Sequence, residues 1–203
     1  MTEGLFSEKT KLRAEMRRRL KDHGPISRDQ NSLRIEEHVL NFSAWREAQT
    51  LCLYASLPSE PHTRRLMSHA WSVGKRVALP RVQHPDEEMS LHWVHSRGDL
   101  KQGPQGFEEP RADSETAHLS DLQLMVIPGI AFDRQGGRLG RGGGHYDRLL
   151  DRADRRAVVL GLFYSVQEVP RVPHDPWDQA LHWVATEEGC FRVTSEERLK
   201  QIP

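Results

Sequence analysis

A glycine-rich segment contains the residues of this sequence whose types and spacing best suit catalytic chemistry. Residues 134–144 read RQGGRLGRGGG and include six glycines together with Arg138 and Arg141. Glycines let the backbone adopt positive φ and approach a ligand closely, and consecutive amides ahead of a helix can bind phosphate oxygens. The two guanidinium groups suit phosphate as well, and the carboxylate of Asp147 could hold a Mg²⁺ ion that bridges the phosphates. The segment therefore predicts a phosphate-binding loop.

This loop matches neither of two widespread nucleotide-binding signatures. A Walker A sequence would need GxxxxGK followed by Ser or Thr, and Gly140-Arg141-Gly142 begins a dinucleotide-binding GxGxxG without completing it. The alternative interpretation is a flexible hairpin tip that binds nothing. Two arginines among glycines, between an apolar strand and a helix, favour phosphate binding over that alternative.

The elements that must position the loop are visible as apolar and periodic runs. Strands are expected at 50–57, 76–82, 91–96, 122–133, 157–164 and 181–187, the last at a sheet edge. Helices are expected at 5–22, 63–73 and 145–153. A further helix is expected to begin at a capping box formed by Ser27 and Gln30 and to end at about Leu40. Residues 97–120 predict a long surface segment that covers or lines a site. The alternation of strands and helices predicts one α/β domain over residues 1–203, with a mostly parallel sheet and helices on both faces.

Composition excludes several classes of protein. The chain has 29 basic and 29 acidic residues among 203, so no overall field attracts nucleic acid or an anionic membrane. Cys52 and Cys190 are far apart and form no CxxC motif, which argues against a zinc or disulfide site. We find neither a signal peptide nor an apolar run of membrane-spanning length, so a reducing cytoplasm is the expected location.

The sequence resembles the 5-formyltetrahydrofolate cyclo-ligase family. The run VIPGIAFDRQGGRLGRGGGHYDRLL is similar to that family's signature, PGxAFDxxGxRLGxGGGxYDR. Four shorter family patterns occur in the same order: K-x-x-x-R near the N-terminus, E-x-x-T after the first strand, G-x-x-E-P, and a late W-D. The resemblance spans about residues 8–188. It implies a three-layer αβα fold with a mixed sheet, like sugar-phosphate isomerases and CoA transferases, and ATP- and Mg²⁺-dependent cyclisation of 5-formyltetrahydrofolate to 5,10-methenyltetrahydrofolate.

The resemblance also implies roles for individual residues. Arg141 would stabilise the transferring phosphoryl group, and Asp147 and Asp178 would bind Mg²⁺. The implied ATP contacts are Lys9, Arg13, Arg138, Leu139, Gly140, Arg141, Gly142, Gly143, Gly144, His145 and Tyr146. The implied folate contacts are Ala55, Glu60, Arg141, Gly142, Gly143, Gly144 and His145. Without the resemblance, Lys9 and Arg13 would be interpreted as a solvated helix face, Glu60 equally well as a helix N-terminal charge, and Asp178 as a turn residue.

Three departures from the family pattern bear on the acceptor. His145 and Gln105 stand where the family often has aromatic residues, and Ala55 where a larger apolar residue faces the substrate. Two alternatives remain open from the sequence: an ATP-dependent kinase or ligase with a different acceptor, and a nucleotide- or folate-binding protein without activity. The expected partners are small molecules, and we expect a monomer or weak dimer.

Overall fold

The computed structural model describes residues 3–82, 88–103, 106, 108–152 and 157–194. Its α-helices are α1 (Glu3–Asp22), α2 (Pro25–Asn41), α3 (Ser43–Glu47), α4 (Arg64–Ser72) and α5 (His145–Asp151). The first strands are β1 (Thr50–Cys52), β2 (Arg76–Arg81), β3 (Ser90–Val94), β4 (Leu100–Gln102), β5 (Glu108–Pro110) and β6 (Thr116–Ala117). The later strands are β7 (Leu124–Pro128), β8 (Ala131–Phe132), β9 (Arg138–Leu139), β10 (Val158–Leu162), β11 (Trp183–Thr186) and β12 (Gly189–Arg192).

Eight strands form one mixed sheet in the order β12-β11-β10-β7-β1-β2-β3-β6. The five central strands, from β11 to β2, pair in parallel. Antiparallel strands flank them on both sides, with β12 against β11, and β3 and then β6 beyond β2. The predicted mixed, mostly parallel sheet is therefore confirmed.

Helices cover both faces of this sheet, as the three-layer interpretation requires. Along β7, Leu124 and Val126 pack into one apolar cluster with helices α2, α3 and α4, whereas Met125 and Ile127 pack into a second cluster with α5. This strict alternation, with all four side chains fully buried, shows why the strand sequence is continuously apolar: each face of a central strand needs an apolar partner. Among the described residues, no helix is long and apolar enough to cross a membrane.

A third apolar cluster fixes helix α1 against the loop that precedes α5. Met16, which is fully buried, packs with Ile130, Leu139, Val169 and Val172. Because residues four positions apart share one helix face, this contact also turns the neighbouring Lys9 and Arg13 towards the glycine-rich segment. The helix predicted over 5–22 is thus confirmed, and its packing brings its basic residues to the site.

Three local predictions need correction. Strand β1 ends at Cys52 rather than at residue 57, because the Tyr54 hydroxyl donates to the Pro61 carbonyl oxygen, and Ala55 and Leu57 go on to line a cavity. Helix α2 has Gly24 as its N-cap and Pro25 as its first helical residue, whereas the expected N-cap was Ser27. Proline suits the first helical position. Strand β11 does not lie at the edge, because β12 pairs outside it.

Candidate active site

The glycine-rich segment folds as a hairpin followed by a loop. Strands β8 and β9 pair around the turn at 133–137, and the fully buried Asp133 fixes that turn by accepting hydrogen bonds from the amides of Gln135 (2.9 Å) and Gly137 (2.8 Å). The second carboxylate oxygen of Asp133 accepts a bond of 2.8 Å from the amide of Val172. The hairpin is therefore rigidly anchored, and the residues after Leu139 start from a fixed point.

Residues 140–144 form the open part of the loop. Gly142 has φ 121° and Gly144, the N-cap of α5, has φ 65°, both in the region that disfavours residues with a Cβ. The guanidinium Nε of Arg13 donates to the carbonyl oxygen of Gly140 at 2.9 Å, which ties the loop to α1. The backbone here lies against side chains from two other elements instead of forming a free tip.

Two cavities share this loop as their common wall. The smaller one, of about 180 Å³, lies under apolar side chains from the first half of the chain, including Tyr54, Leu57, Val82 and Met89. The larger one, of about 540 Å³, lies between the loop, helix α1 and the segment around Asp175. Four residues line both cavities: Arg138, Gly140, Gly144 and Asp147.

Charged side chains dominate the larger cavity. Lys9 is buried and donates from Nζ to Asp175 at 2.8 Å, and it also donates to Asp178. Arg138, likewise buried, donates from Nη2 to Oδ1 of Asp147 at 2.6 Å. Its buried Nε has no hydrogen-bond partner among the described residues. Since buried donors are nearly always paired, this Nε points to a missing acceptor such as a ligand oxygen.

The smaller cavity holds an ion pair within an apolar surround. Arg141 donates from Nε and Nη2 to Oε1 of Glu60, at 3.1 and 3.0 Å, while the Glu60 side chain is 8% exposed and that of Arg141 is 50% exposed. Oε2 of Glu60 accepts from the Leu57 amide at 3.0 Å. Arg141 thus covers Glu60 from the solvent side, and the two groups neutralise each other.

Burial shifts the pKa of several groups around the loop. Burial, followed by the nearby charge of Arg148, lowers the pKa of His145 from about 6.5, so its imidazole is neutral at pH 7. Burial also raises the pKa of Tyr146 well above its usual value near 10, which keeps its phenol protonated. Burial and then Arg17 lower the pKa of Arg13. The loop therefore presents neutral hydrogen-bonding groups beside its arginines.

The structure brings all the described predicted site residues to these two cavities. Lining only the larger one are Lys9, Arg13, Leu139, Gly142 and Asp178. Lining only the smaller one are Ala55, Glu60, Arg141, Gly143, His145 and Tyr146. Arg141, Gly143 and His145, which were expected at both ATP and folate, line only the apolar cavity, as does Tyr146, which was expected at ATP alone. Gly142, expected at both ligands, lines only the charged cavity. Gln105 lies outside the described residues.

Sequence reasoning did not single out several residues that line the site, among them Asp175 and Arg148. Asp175, only 3% exposed, shares Lys9 with Asp178 and its amide donates to Asp178 at 2.8 Å; an acid three residues before Asp178 was the available signal. Arg148 also lines the larger cavity and donates to the Gly143 carbonyl oxygen at 2.8 Å. Arg148 is the last residue of the family run GGGxYDR, and that run was the available signal.

The fold and the two cavities define an α/β protein with a charged cavity and an apolar cavity on opposite sides of one loop. Comparison with known proteins gives the family. The sequence profile of the 5-formyltetrahydrofolate cyclo-ligase family matches residues 6–187, and the chain belongs to that family. The chain is therefore a ligase of a family named for its folate substrate.

Named relatives agree with this assignment. The chain is 32% identical over 178 residues to the 5-formyltetrahydrofolate cyclo-ligase of Haemophilus influenzae, covering 86% of this chain and 95% of the relative. It is 34% identical over 143 residues to the Escherichia coli K12 enzyme of the same name, covering 68% and 78%. The NMR structure of Aquifex aeolicus 5,10-methenyltetrahydrofolate synthetase superposes with a TM-score of 0.81 at 29% identity, over 92% of this chain and 93% of that one. The Mycoplasma pneumoniae synthetase shares the fold, with a TM-score of 0.69 at 21% identity, over 89% and 99% of the two chains.

Proposed function

We propose that this enzyme uses ATP and Mg²⁺ to cyclise 5-formyltetrahydrofolate to 5,10-methenyltetrahydrofolate, releasing ADP and phosphate. The observation that carries the proposal is the position of the glycine loop as the shared wall between a charged cavity and an apolar one. Triphosphate in the larger cavity and reduced folate in the smaller one would meet at that loop. Family membership supports these substrates, and the two separate cavities support a separate binding place for each of them.

The reaction needs an activated oxygen more than a protein nucleophile. A formamide is a weak electrophile and its oxygen is a poor leaving group. Attack of that oxygen on the γ-phosphorus of ATP releases ADP and makes the oxygen part of a phosphate ester. The N10 amine then attacks the formyl carbon and loses its proton to solvent or to the departing phosphate, the ring closes, and the oxygen departs with inorganic phosphate. Such steps depend on positioning and on neutralising charge.

Three arginines and one lysine supply that positioning in the proposal. Lys9, Arg13 and Arg138 would hold the triphosphate, since all three line the larger cavity and Arg138 has an unpaired buried Nε. Arg141, whose half-exposed guanidinium lies at the rim of the apolar cavity, would stabilise the phosphoryl group at the formyl oxygen. Glu60 would accept hydrogen bonds from the pterin ring; a pterin bound in this way would replace Arg141 at Oε1 of Glu60 and release that arginine.

The residues of the larger cavity fit a Mg²⁺ ion. Its lining includes four basic and four acidic side chains: Lys9, Arg13, Arg138, Arg148, Asp147, Asp151, Asp175 and Asp178. This balance leaves nothing to neutralise the negative charge of a triphosphate. No group of three His, Cys, Asp or Glu residues in the described part of the chain forms a metal site by itself. Mg²⁺ typically combines one or two carboxylates with phosphate oxygens and water, and Asp147 and Asp178 would hold it there, where it would neutralise phosphate charge.

The test is turnover by the purified protein with 5-formyltetrahydrofolate, ATP and Mg²⁺. Methenyltetrahydrofolate absorbs near-ultraviolet light that the substrate does not absorb, so product growth can be followed directly. We expect product to form in proportion to ADP and to require all three components. ATP hydrolysis only with another acceptor would support a different kinase or ligase, and binding without turnover would refute the catalytic proposal.

A further inference from the structure

A third cavity opens beside the apolar one, on the side away from the glycine loop. It measures about 320 Å³ and shares Ala55, Leu57 and Glu108 with the apolar cavity. None of its lining residues belongs to the glycine loop or to the larger charged cavity. The apolar cavity therefore lies between a phosphate-binding side and this third side.

Two arginines from different elements converge in the third cavity. Arg64, at the start of α4, places Nη2 3.5 Å from Oε2 of Glu108. Arg97, in the 3₁₀ turn Arg97–Asp99 after β3, donates from Nε and Nη2 to Oε1 of Glu108 at 3.3 and 3.2 Å. The spacing of the two guanidinium groups thus suits one carboxylate between them. Each arginine side chain is 62% exposed, and Nε and Nη1 of Arg64 have no partner among the described residues.

The size of the apolar cavity requires the substrate to extend beyond it. At about 180 Å³, it is smaller than the roughly 300–1,000 Å³ typical of small-molecule sites. A reduced folate comprises a pterin, a benzoyl group and a glutamyl group with two carboxylates. Under the proposed function, triphosphate occupies the other neighbouring cavity. Two further cavities adjoin the apolar one: a cavity beside β3 shares only Met89 with it, whereas the third cavity shares three residues. The third cavity is therefore the better continuation, and its arginines match the charge of the glutamyl end.

We propose that Arg64 and Arg97 form a subsite for the glutamyl carboxylates of the folate substrate, and that they also bind the added carboxylates of oligoglutamate forms. This inference rests on the proposed function and extends it to the far end of the substrate. Glu108 holds the two guanidinium groups together and exchanges with the substrate carboxylate when the tail binds. Because these contacts lie far from the reacting atoms, they contribute to binding in the ground state and transition state alike, and they change KM rather than kcat.

The test compares three substrates in the absorbance assay: 5-formyltetrahydropteroate, which lacks glutamate, the monoglutamate, and the triglutamate. We expect the double variant Arg64→Ala, Arg97→Ala to raise KM for the monoglutamate about tenfold, because each exposed ion pair with a substrate carboxylate contributes about threefold. The kcat of this variant should stay within about twofold of the wild-type kcat. KM for the pteroate should not change. Arg111→Ala is the matched control, because Arg111 is an exposed arginine paired with Asp113 at 3.6 Å that lines none of these cavities. An equal KM change for all three substrates, or none, would overturn the subsite.

Glu108→Gln separates ligand binding from a structural role. If the arginines bind substrate, removing their internal carboxylate lowers KM for the glutamylated substrates, opposite to the effect of the arginine variants. If the cluster only ties α4 to β5, Glu108→Gln raises KM as they do, and the proposal fails. Calorimetric titration of the three substrates without ATP tests the subsite even without turnover. Absent turnover with normal, tail-dependent binding would count against the proposed function alone.

Discussion

Arg141 and Glu60 illustrate how a single residue can have different partners before and during a reaction. The two groups pair in the apolar cavity, yet each is proposed to contact a substrate. Glu60 keeps its hydrogen bond from the Leu57 amide when Arg141 leaves, so the exchange does not leave the buried carboxylate without a partner. Such an exchange would couple folate binding to the release of Arg141.

Arg141→Ala should lower kcat by about two to three orders of magnitude, the scale observed when a transition-state charge partner is lost. Single-turnover absorbance measurements would show this, and Arg141→Lys should restore part of the rate because it keeps the charge. Thermal unfolding of both variants checks that the loss of the Glu60 pair has not unfolded the site. A kcat within about twofold of wild type would remove Arg141 from the chemical step.

Asp147→Asn should raise the Mg²⁺ concentration needed for half-maximal turnover by about tenfold or more, because a neutral amide binds Mg²⁺ weakly. The measurement is a Mg²⁺ titration at saturating substrates. Asp151→Asn is the matched control, since Asp151 lies one turn further along α5 and lines the same cavity. Equal shifts in the two variants would indicate that only the net charge of the cavity matters.

At the scale of elements, the interface between helices α2 and α4 contains a buried glutamate, Glu36. The Glu36 side chain is 4% exposed, with Nη1 of Arg65 3.5 Å away. Burial is the main cause that raises the pKa of Glu36 to about 7, and Arg65 offsets it only in part. The folded state therefore holds a proton on Glu36 that the unfolded chain releases near pH 4.5, and the helix pair is most stable when that proton is present.

This pKa shift gives stability a definite pH dependence. Because the pKa of Glu36 is higher in the folded state, its favourable contribution is complete below about pH 4.5 and is lost as the pH rises to about 7. Because the pKa of Glu36 rises from 4.5 to about 7 on folding, Glu36→Gln should raise the free energy of unfolding at pH 8 by about 3 kcal/mol, with little change at pH 4.5. Urea unfolding at both pH values measures this. Glu37→Gln, at an exposed position on the same helix, should show no such difference, and identical profiles for the two variants would contradict the argument.

At the scale of the whole molecule, one sheet connects almost every element. Its order places β1 from the first third of the chain between β7 and β2, and β10 to β12 from the last third beyond β7. The two cavities that flank the glycine loop draw residues from both halves of the sequence. A substrate bound there would contact helices, loops and strand ends that are distant in sequence.

The chain should therefore unfold as a single domain. We expect far-UV circular dichroism and tryptophan fluorescence to give coincident thermal transitions. ATP with Mg²⁺ at about one hundred times its Kd should raise the midpoint by about 5–10 °C, since it adds about 2.7 kcal/mol to the folded state. Two separated transitions would contradict the single domain, and an unchanged midpoint would contradict nucleotide binding.

The sequence by itself determined the sheet class, the loop and four of the five described α-helices, whereas the short helix α3 was not predicted. Apolar runs of strand length dictate central strands, and glycines before HYDRLL dictate a flexible backbone followed by a helix, because these preferences act locally. Strand ends were less predictable, since Tyr54 leaves the sheet through bonds with residues seven or more positions away.

The division of the site was decided only by the tertiary structure. Nothing in the order of residues 138–147 places Arg138 and Asp147 in both cavities but Arg141 with Glu60 in the apolar one. The pairing of Lys9 with Asp175 and Asp178 joins residues 166 and 169 positions apart, and Arg64 meets Glu108 from another element. Such contacts arise from the packing of α1 and α4 against the rest of the fold, and packing between distant segments is not encoded in local periodicity.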